Sequence, residues 1–155
     1  MPKRSAGLMM YRRRDSHLEV FLVHPGGPFW SRKEFGVWSI PKGEYVEQET
    51  PLEVAKREFE EETGFPPGEL FLELGDLTQP SRKIVRAWAF EGDCDPGMLR
   101  SNTCLIEWPP RSGRQIEVPE VDRGDWFTVE EARSRLLTGQ QVFLDRLIAA
   151  LRGIG

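Results

Sequence analysis

The chain has 155 residues, 39% apolar and 30% charged, with a formal net charge of −4. This length suits one domain, taken as residues 1–155, with a sizeable core, and the acidic balance argues against a general nucleic-acid or membrane-surface binder, which needs a basic face. No apolar run approaches the ~18 residues needed to span a bilayer. Nothing resembles a secretory signal, and Cys94 and Cys104 have no C-x-x-C or His partner spacing, so neither a disulfide framework nor a zinc site is indicated and a cytoplasmic protein is expected.

In chain order, β-rich segments predict strands over Ala6–Arg12 and Leu18–His24. Arg12-Arg13-Arg14 reads as a solvated hairpin tip, with phosphate contact as the alternative. His17 and His24 belong to no ligand pattern and read as structural or exposed. The Pro- and Gly-rich stretch Pro25–Gly36 predicts an irregular loop. A short strand over Val37–Ile40 follows, then strands near Leu70–Leu77, Lys83–Glu91 and Gln115–Val118. Thr128-Val129-Glu130-Glu131 is a capping box, and Val142, Phe143, Leu147, Ile148 and Leu151 form the apolar stripe of a C-terminal helix. Strands interrupted by one helix and closed by another predict an α/β fold, a mixed β-sheet flanked by helices.

The most informative segment lies between Gly43 and Phe65. Thr50-Pro51-Leu52-Glu53 combines an N-cap Thr, a Pro at the first helical position and a Glu three residues after the cap. Gly64, followed by Phe65-Pro66-Pro67, ends the helix. At about 100° per residue, Leu52, Ala55 and Phe59 share a packing stripe while Glu58, Glu61 and Glu62 share the next arc. A solvated charged face is the ordinary explanation of such a run. It fits poorly here, because acids near a helix C-terminus are each disfavoured by about 0.3–1 kcal/mol and like charges at i, i+4 add to that. Arg57 can pair with Glu61 one turn on, which leaves Glu58 and Glu62 unpartnered. Clustered carboxylates are what hard cations such as Mg²⁺ or Mn²⁺ prefer.

These residues resemble the Nudix box, G-x5-E-x7-R-E-U-x-E-E-x-G-U with U apolar: Gly43, Glu49, Arg57-Glu58-Phe59, Glu61-Glu62 and Gly64-Phe65 fill every fixed position. Trp38-Ser39-Ile40-Pro41-Lys42-Gly43 before it, and Pro119 to Phe127 after it, extend the likeness, with features of dinucleoside polyphosphate hydrolases. Glu107 to Gly113 looks like a bacterial subgroup of predicted nucleoside triphosphate pyrophosphohydrolases. The resemblance implies a Nudix-type α/β/α sandwich and metal-dependent hydrolysis of a diphosphate linkage in a nucleoside diphosphate joined to another group, with Mg²⁺ or Mn²⁺ as cofactor and a small nucleotide as the partner. It implies Glu61 and Glu62 as ligands, Glu58 as a ligand or a base behind them, the Gly43 carbonyl as a further ligand, and Arg57 as the residue that orients Glu58 or Glu49.

The general base is left open among these residues. Glu49 is one candidate, with a favourable interaction at the helix N-terminus as its other explanation. Glu120, six residues before Trp126, is another, with Glu117 as fallback. Lys42 is a candidate for a substrate phosphate. Arg82 and Lys83 either extend that cationic wall or protect a strand edge. Among Phe29, Trp30, Trp38 and Trp88, Trp30 is the expected stacking platform for a base and Trp38 and Trp88 are expected in the core. Two other readings are a pyrophosphohydrolase on triphosphate RNA ends, which needs a basic track from Arg12–Arg14, Arg82 and Lys83, and a ligand sensor, in which the carboxylates would be eroded.

Overall fold

The computed structural model describes residues 2–154. Eight strands and three helices follow in the order β1 (Arg4–Arg14), β2 (His17–Pro25), β3 (Lys42–Glu44), α1 (Pro51–Thr63), β4 (Leu72–Thr78), β5 (Ile84–Glu91), β6 (Thr103–Glu107), β7 (Gln115–Pro119), β8 (Val121–Thr128), α2 (Val129–Arg135) and α3 (Gln141–Ile154). Six strands make a mixed sheet in the order β4-β5-β1-β2-β8, with β3 pairing β1, and β6 and β7 form a separate ribbon.

Strand β1 organises the sheet. Its side chains alternate faces, as the pleat requires: Ala6, Leu8 and Met10 pack with Val54, Ala55 and Phe59 of α1, while Met9 and Tyr11 pack with Ala132 of α2 and Phe143, Leu144, Leu147 and Leu151 of α3. The result is an α/β/α sandwich. One edge of β1 pairs in parallel with β5 from Arg4 to Tyr11. The other edge is divided, with Tyr11–Arg14 pairing β2 and Ser5–Gly7 pairing β3. Strands β1 and β2 therefore part in mid-sheet, and the Ser39–Pro41 segment enters the gap. There Val23 and Ser39 exchange amide bonds of 2.9 and 3.0 Å, and the Leu8 amide donates to the Pro41 carbonyl at 3.1 Å.

Several sequence expectations change here. Val37–Ile40 is not a strand but makes isolated bridges to Val23 and Leu136. Pro41 removes a ladder donor, and pairing resumes only at Lys42 in β3. Thr50 occupies the N-cap of α1 with Pro51 at N1, yet its side chain makes no cap hydrogen bond. The box at Thr128 and Glu131 is fully formed. In α3 the buried stripe centres on Leu144, while Val142 is exposed. The tip of the first hairpin is the Asp15-Ser16 pair, both with positive φ, and Arg12 is not solvated: it bonds Glu19 and Asp93, both at 2.7 Å, and lies 4.1 Å over the Trp126 ring. Strands β6 and β8 were not expected from the sequence; in β8, Asp122, Gly124 and Asp125 are residue types depleted in strands.

Phe59, fully buried between α1 and the sheet, packs edge-on to Phe90 at 5.2 Å. Phe59→Ala is expected to destabilise the protein by about 3–5 kcal/mol, measured by urea unfolding; a loss below about 1 kcal/mol would mean that α1 is not held by this contact.

Candidate functional site

Helix α1 ends against a backbone relay. Its orphan carbonyls are taken up by amides: Glu60 by Gly64 at 2.8 Å, Glu61 by Asn102 at 2.8 Å and Thr63 by Arg100 at 2.8 Å. The relay continues, since the Asn102 carbonyl accepts from the Glu120 amide at 2.9 Å and the Glu120 carbonyl accepts from Gly26 at 2.9 Å. The end of α1 carrying Glu61 and Glu62 is thus tied through main chain to Glu120 and to the start of the Pro25–Gly36 loop. Gly64 makes the exit in the left-handed region at φ 79°, which glycine adopts without a Cβ penalty.

Across the cleft, β3 brings Lys42 and Gly43 against the carboxylates. The Lys42 amide donates to Glu62 Oε1 at 3.4 Å. A Cβ on Gly43 would lie 2.2 Å from Glu58 Cδ, so glycine there lets the Glu58 side chain rest on the backbone. Arg57 spans three acids: Glu49 at 3.4 Å, Glu58 at 3.6 Å and Glu61 at 3.9 Å. Its alternatives in the sequence are thus all realised together.

The electrostatics follow from burial. Glu62 is only 8% exposed, and burial pushes its carboxyl up to about 8, with Glu120 and Glu58 adding to the rise and Lys42 opposing it. Burial also raises Glu58, helped by Glu61 and Glu120, and raises Glu120, helped by Glu61 and opposed by Lys42. The Lys42 ammonium is pulled below its ordinary range by the same burial and by Lys83, while Glu62, Glu44 and Glu120 hold it up. Burial disfavours both charges of the Lys42–Glu62 pair, and each partly compensates the other.

Glu62, Glu120, Lys42 and Trp30 line one pocket of about 190 Å³, whose other walls include Val37, Ile40 and Leu137. Among the described residues no three carboxylate, imidazole or thiol side chains stand in a ligating arrangement. Arg57 draws Glu58 and Glu61, and the Lys42 amide takes Glu62. The donor set nevertheless fits a hard cation: all-oxygen ligands, crowded enough to raise one another's proton affinity.

The remaining candidates divide. Lys83 is near enough to lower Lys42 and pairs with Glu44 at 4.0 Å, whereas Arg82 is exposed on the β4–β5 turn at φ 74°. Glu49 bonds the Val46 amide at 3.0 Å as well as Arg57, and Glu117 is exposed on β7 opposite Leu105. Trp38 and Trp88 are core residues, and Phe29 is exposed. Cys94 and Cys104 are free thiols, and burial holds Cys94 up at about 11. Among the described residues no helix is long and apolar enough to cross a membrane.

Two residues support the site, of which only His24 has a sequence reading, as structural or exposed. His24 is fully buried, its ring nitrogens 2.9 Å from Asp122 Oδ1 and 2.6 Å from the Lys33 carbonyl, so it anchors the loop that carries Trp30. Gln140, also fully buried, accepts from the Ile40 amide at 3.2 Å and donates to Ser39 Oγ at 3.1 Å and Gln79 Oε1 at 3.0 Å. A lone His on a strand and a Gln before a helix look ordinary in sequence; only the tertiary contacts distinguish them.

Two outcomes test this geometry. Gly43→Ala should leave the fold intact, because Glu58 is flexible enough to give way, yet should cut turnover by displacing that carboxylate; unchanged turnover in a folded variant would refute the contact. Glu62 holds a proton in the folded state between its unfolded value near 4.5 and about 8, so its contribution to metal-free stability falls as pH rises through that window. Glu62→Gln should flatten this decline and be the more stable form at pH 8, read by urea unfolding in a chelator between pH 5 and 8.5.

A family model of the NUDIX domain matches residues 1–150. Among solved structures, an Ap4A hydrolase of C. elegans in a binary complex superposes with a TM-score of 0.67 at 20% identity, over 96% of this chain and 98% of that one. The NUDIX domain of Shewanella oneidensis NrtR complexed with ADP ribose gives 0.66 at 13% identity, over 97% and 89%. A mutT/nudix family protein from Listeria innocua gives 0.62 at 19% identity, over 99% and 97%. These likenesses are of fold, and the family match spans nearly the whole sequence: the chain belongs to the NUDIX domain family.

Proposed function

We propose that this Nudix pyrophosphohydrolase, acting as one domain in the cytoplasm, cleaves a diphosphate linkage in a nucleoside triphosphate or dinucleoside polyphosphate with Mg²⁺ or Mn²⁺ as cofactor. One observation carries the reading: Glu58, Glu61, Glu62 and Glu120 interact electrostatically around a cleft that also holds Lys42, with Lys83 beside it. The ADP ribose in the Shewanella complex and the Ap4A named for the worm enzyme are both nucleosides in phosphoanhydride linkage, which supports the substrate class.

Glu58, Glu61 and Glu62 with the Gly43 carbonyl would hold the ion. Bound there, it neutralises phosphate oxygens and lowers the pKa of a water. Arg57 holds Glu49, Glu58 and Glu61 in one charge-assisted array, limiting their mutual repulsion. Lys42 offers a point charge to a phosphate. Glu120 is the favoured base, because it lines the pocket with Lys42 and Glu62 while both Glu49 oxygens are already engaged and Glu117, exposed on β7, does not line it. The RNA reading has less support: Arg12 is bound by Glu19 and Asp93, Arg14 pairs with Asp93 and Lys83 with Glu44, which leaves Arg13 on the first hairpin and Arg82 on the β4–β5 turn. The sensor reading is opposed by the intact carboxylate set.

A panel of triphosphates, dinucleoside polyphosphates, nucleoside diphosphate sugars and capped RNA, each with Mg²⁺ and Mn²⁺, tests the activity; no turnover of any would sink it. Glu120→Gln should lower kcat by about 10²–10⁴-fold with little change in KM, and Glu61→Gln should raise the Mg²⁺ needed for half-maximal rate by about 10–100-fold. Full kcat in the first variant would remove Glu120 as the base.

A further inference from the structure

Among the described residues, one strand at the margin of the fold keeps an open edge. Such an edge offers unpaired amides and carbonyls to another chain, and proteins cover, charge or kink their edges to prevent it. On β4, which ends the mixed sheet, Arg146 donates to the Leu74 and Asp76 carbonyls at 2.9 and 2.6 Å, and the ladder shifts register between Glu73 and Gly75. On β8, at the other end, Asp122, Arg123 and Asp125 are exposed and the Trp126 amide is taken by Asp125 Oδ1 at 2.8 Å. In β3 the Lys42 amide faces Glu62.

The open edge belongs to β6. This strand and β7 form a ribbon that joins no other strand, a form that is marginal in water without further support. The Glu120 amide bonds the Asn102 carbonyl and the Trp108 amide bonds the Arg114 carbonyl, both at 2.9 Å, so Cys104 and Ile106 between them turn their main chain toward β7. The alternation of the ladder then turns the amides and carbonyls of Thr103, Leu105 and Glu107 outward. Among the described residues none of these groups has a main-chain partner outside the ribbon. Leu105, in the middle of the edge, is 64% exposed. The free edge of β7 is poorer. It ends in Pro119, which has no amide to donate, and it lies against Gly26, where a Cβ would meet the Pro119 carbonyl at 1.9 Å.

We infer that β6 pairs with β6 of a second copy of this chain, antiparallel about a twofold axis at Leu105, in a four-stranded sheet of order β7-β6-β6-β7. The edge is complementary to itself. Leu105 would exchange amide and carbonyl bonds with the partner's Leu105, and Thr103 with the partner's Glu107, so that every outward group of the strand is met. The side chains agree, because the Glu107 carboxylate is already turned back onto the Arg111 and Gly113 amides at 3.1 and 3.0 Å. Pairing through β7 would instead set Glu117 against the partner's Glu117, and like charges directly opposite are destabilising. A twofold contact of this kind closes on itself. Strands of five residues are too short to bury the ~1,200 Å² of a stable interface by themselves, so the dimer is a weak one, with Kd between about 1 μM and 1 mM. The inference stands apart from the proposed hydrolysis.

Sedimentation velocity between about 1 μM and 1 mM should show a monomer passing to a dimer. Hydrogen exchange at the two ends of that range should slow the Thr103, Leu105 and Glu107 amides in the concentrated sample and leave those of Cys104 and Ile106 unchanged. Leu105→Lys alters a side chain that is mostly in solvent; it should keep the parent's circular dichroism and stay monomeric throughout. On oxidation the double variant Cys104→Ser, Leu105→Cys should give a disulfide-linked dimer, since opposed residues of a bonded pair stand about 5.5 Å apart, inside the ~7 Å limit for a disulfide. Cys104→Ser, Glu117→Cys should not, because three strand spacings, about 14 Å, separate the two positions. Should Leu105→Lys misfold, the cysteine pair decides the question. A parent chain that stays monomeric throughout leaves the edge to a different partner and overturns the inference. A dimer that survives Leu105→Lys, one linked through Glu117→Cys in place of Leu105→Cys, or an assembly larger than two overturns it as well.

Discussion

Negative charge gathered at the negative end of a helix is the constraint around which this protein is arranged. Helix α1 ends with three glutamates on or beside one arc and no basic residue in its last turn, where its own dipole already disfavours them. The structure answers in three ways. The amides of Gly64, Arg100 and Asn102 bond the last carbonyls, which meets the hydrogen-bonding need of the helix end. Arg57 distributes one positive charge over three carboxylates. Lys42 enters from the opposite wall. None of these removes the burial of Glu62, so the carboxyl carries a raised proton affinity, and the site gains from any added positive charge.

The divided edge of β1 is what makes room for this. A β2 that paired along the whole of β1 would close the sheet over the place where Glu58 and Glu62 meet β3. Pairing instead passes from β2 to β3, and two glycines permit the close approach. A Cβ at Gly7 would come within 2.6 Å of the Pro41 carbonyl and 2.8 Å of Lys42 Cβ, and one at Gly43 would enter the Glu58 side chain. Backbone proximity here is a packing requirement, and it brings the Lys42 amide to Glu62.

The helix of the box, its glycine stop, its anionic arc and the α/β class were legible in the sequence, because capping residues, Pro, Gly and a 3.6-residue period act locally. Trp38 and Trp88 in the core and Trp30 on a wall were legible for the same reason: apolar strands bury their residues, and Gly-rich loops do not. The Ser39–Ile40 segment was not legible, because apolar residues before a proline look the same whether they join a ladder or fill a gap. Nor was the burial of Glu62, which depends on Lys42, twenty residues earlier, and on Glu120, far later in the chain. Arg12 illustrates the same limit: three arginines at a hairpin look solvated until Asp93 and Trp126, distant in sequence, close over one of them.

Gln140 shows how the two walls of the cleft differ in stiffness. The segment leading to Lys42 lacks a strand partner along much of its length, and a buried side-chain amide supplies the missing bonds to Ser39 and Ile40. Four hydrogen-bonding positions on one planar group, three of them used within 3.2 Å, hold that backbone without requiring a ladder. The wall of Val37, Ile40 and Leu137 is thus fixed by main chain and by a fully buried amide. The facing wall carries Lys42, Glu62 and Glu120, with Arg57 pairing Glu58 and Glu61 beside it, charges borne on side chains that turn about single bonds. Fixed shape on one side and adjustable charge on the other are what the proposed substrate, a rigid ring joined to a flexible anion, would meet.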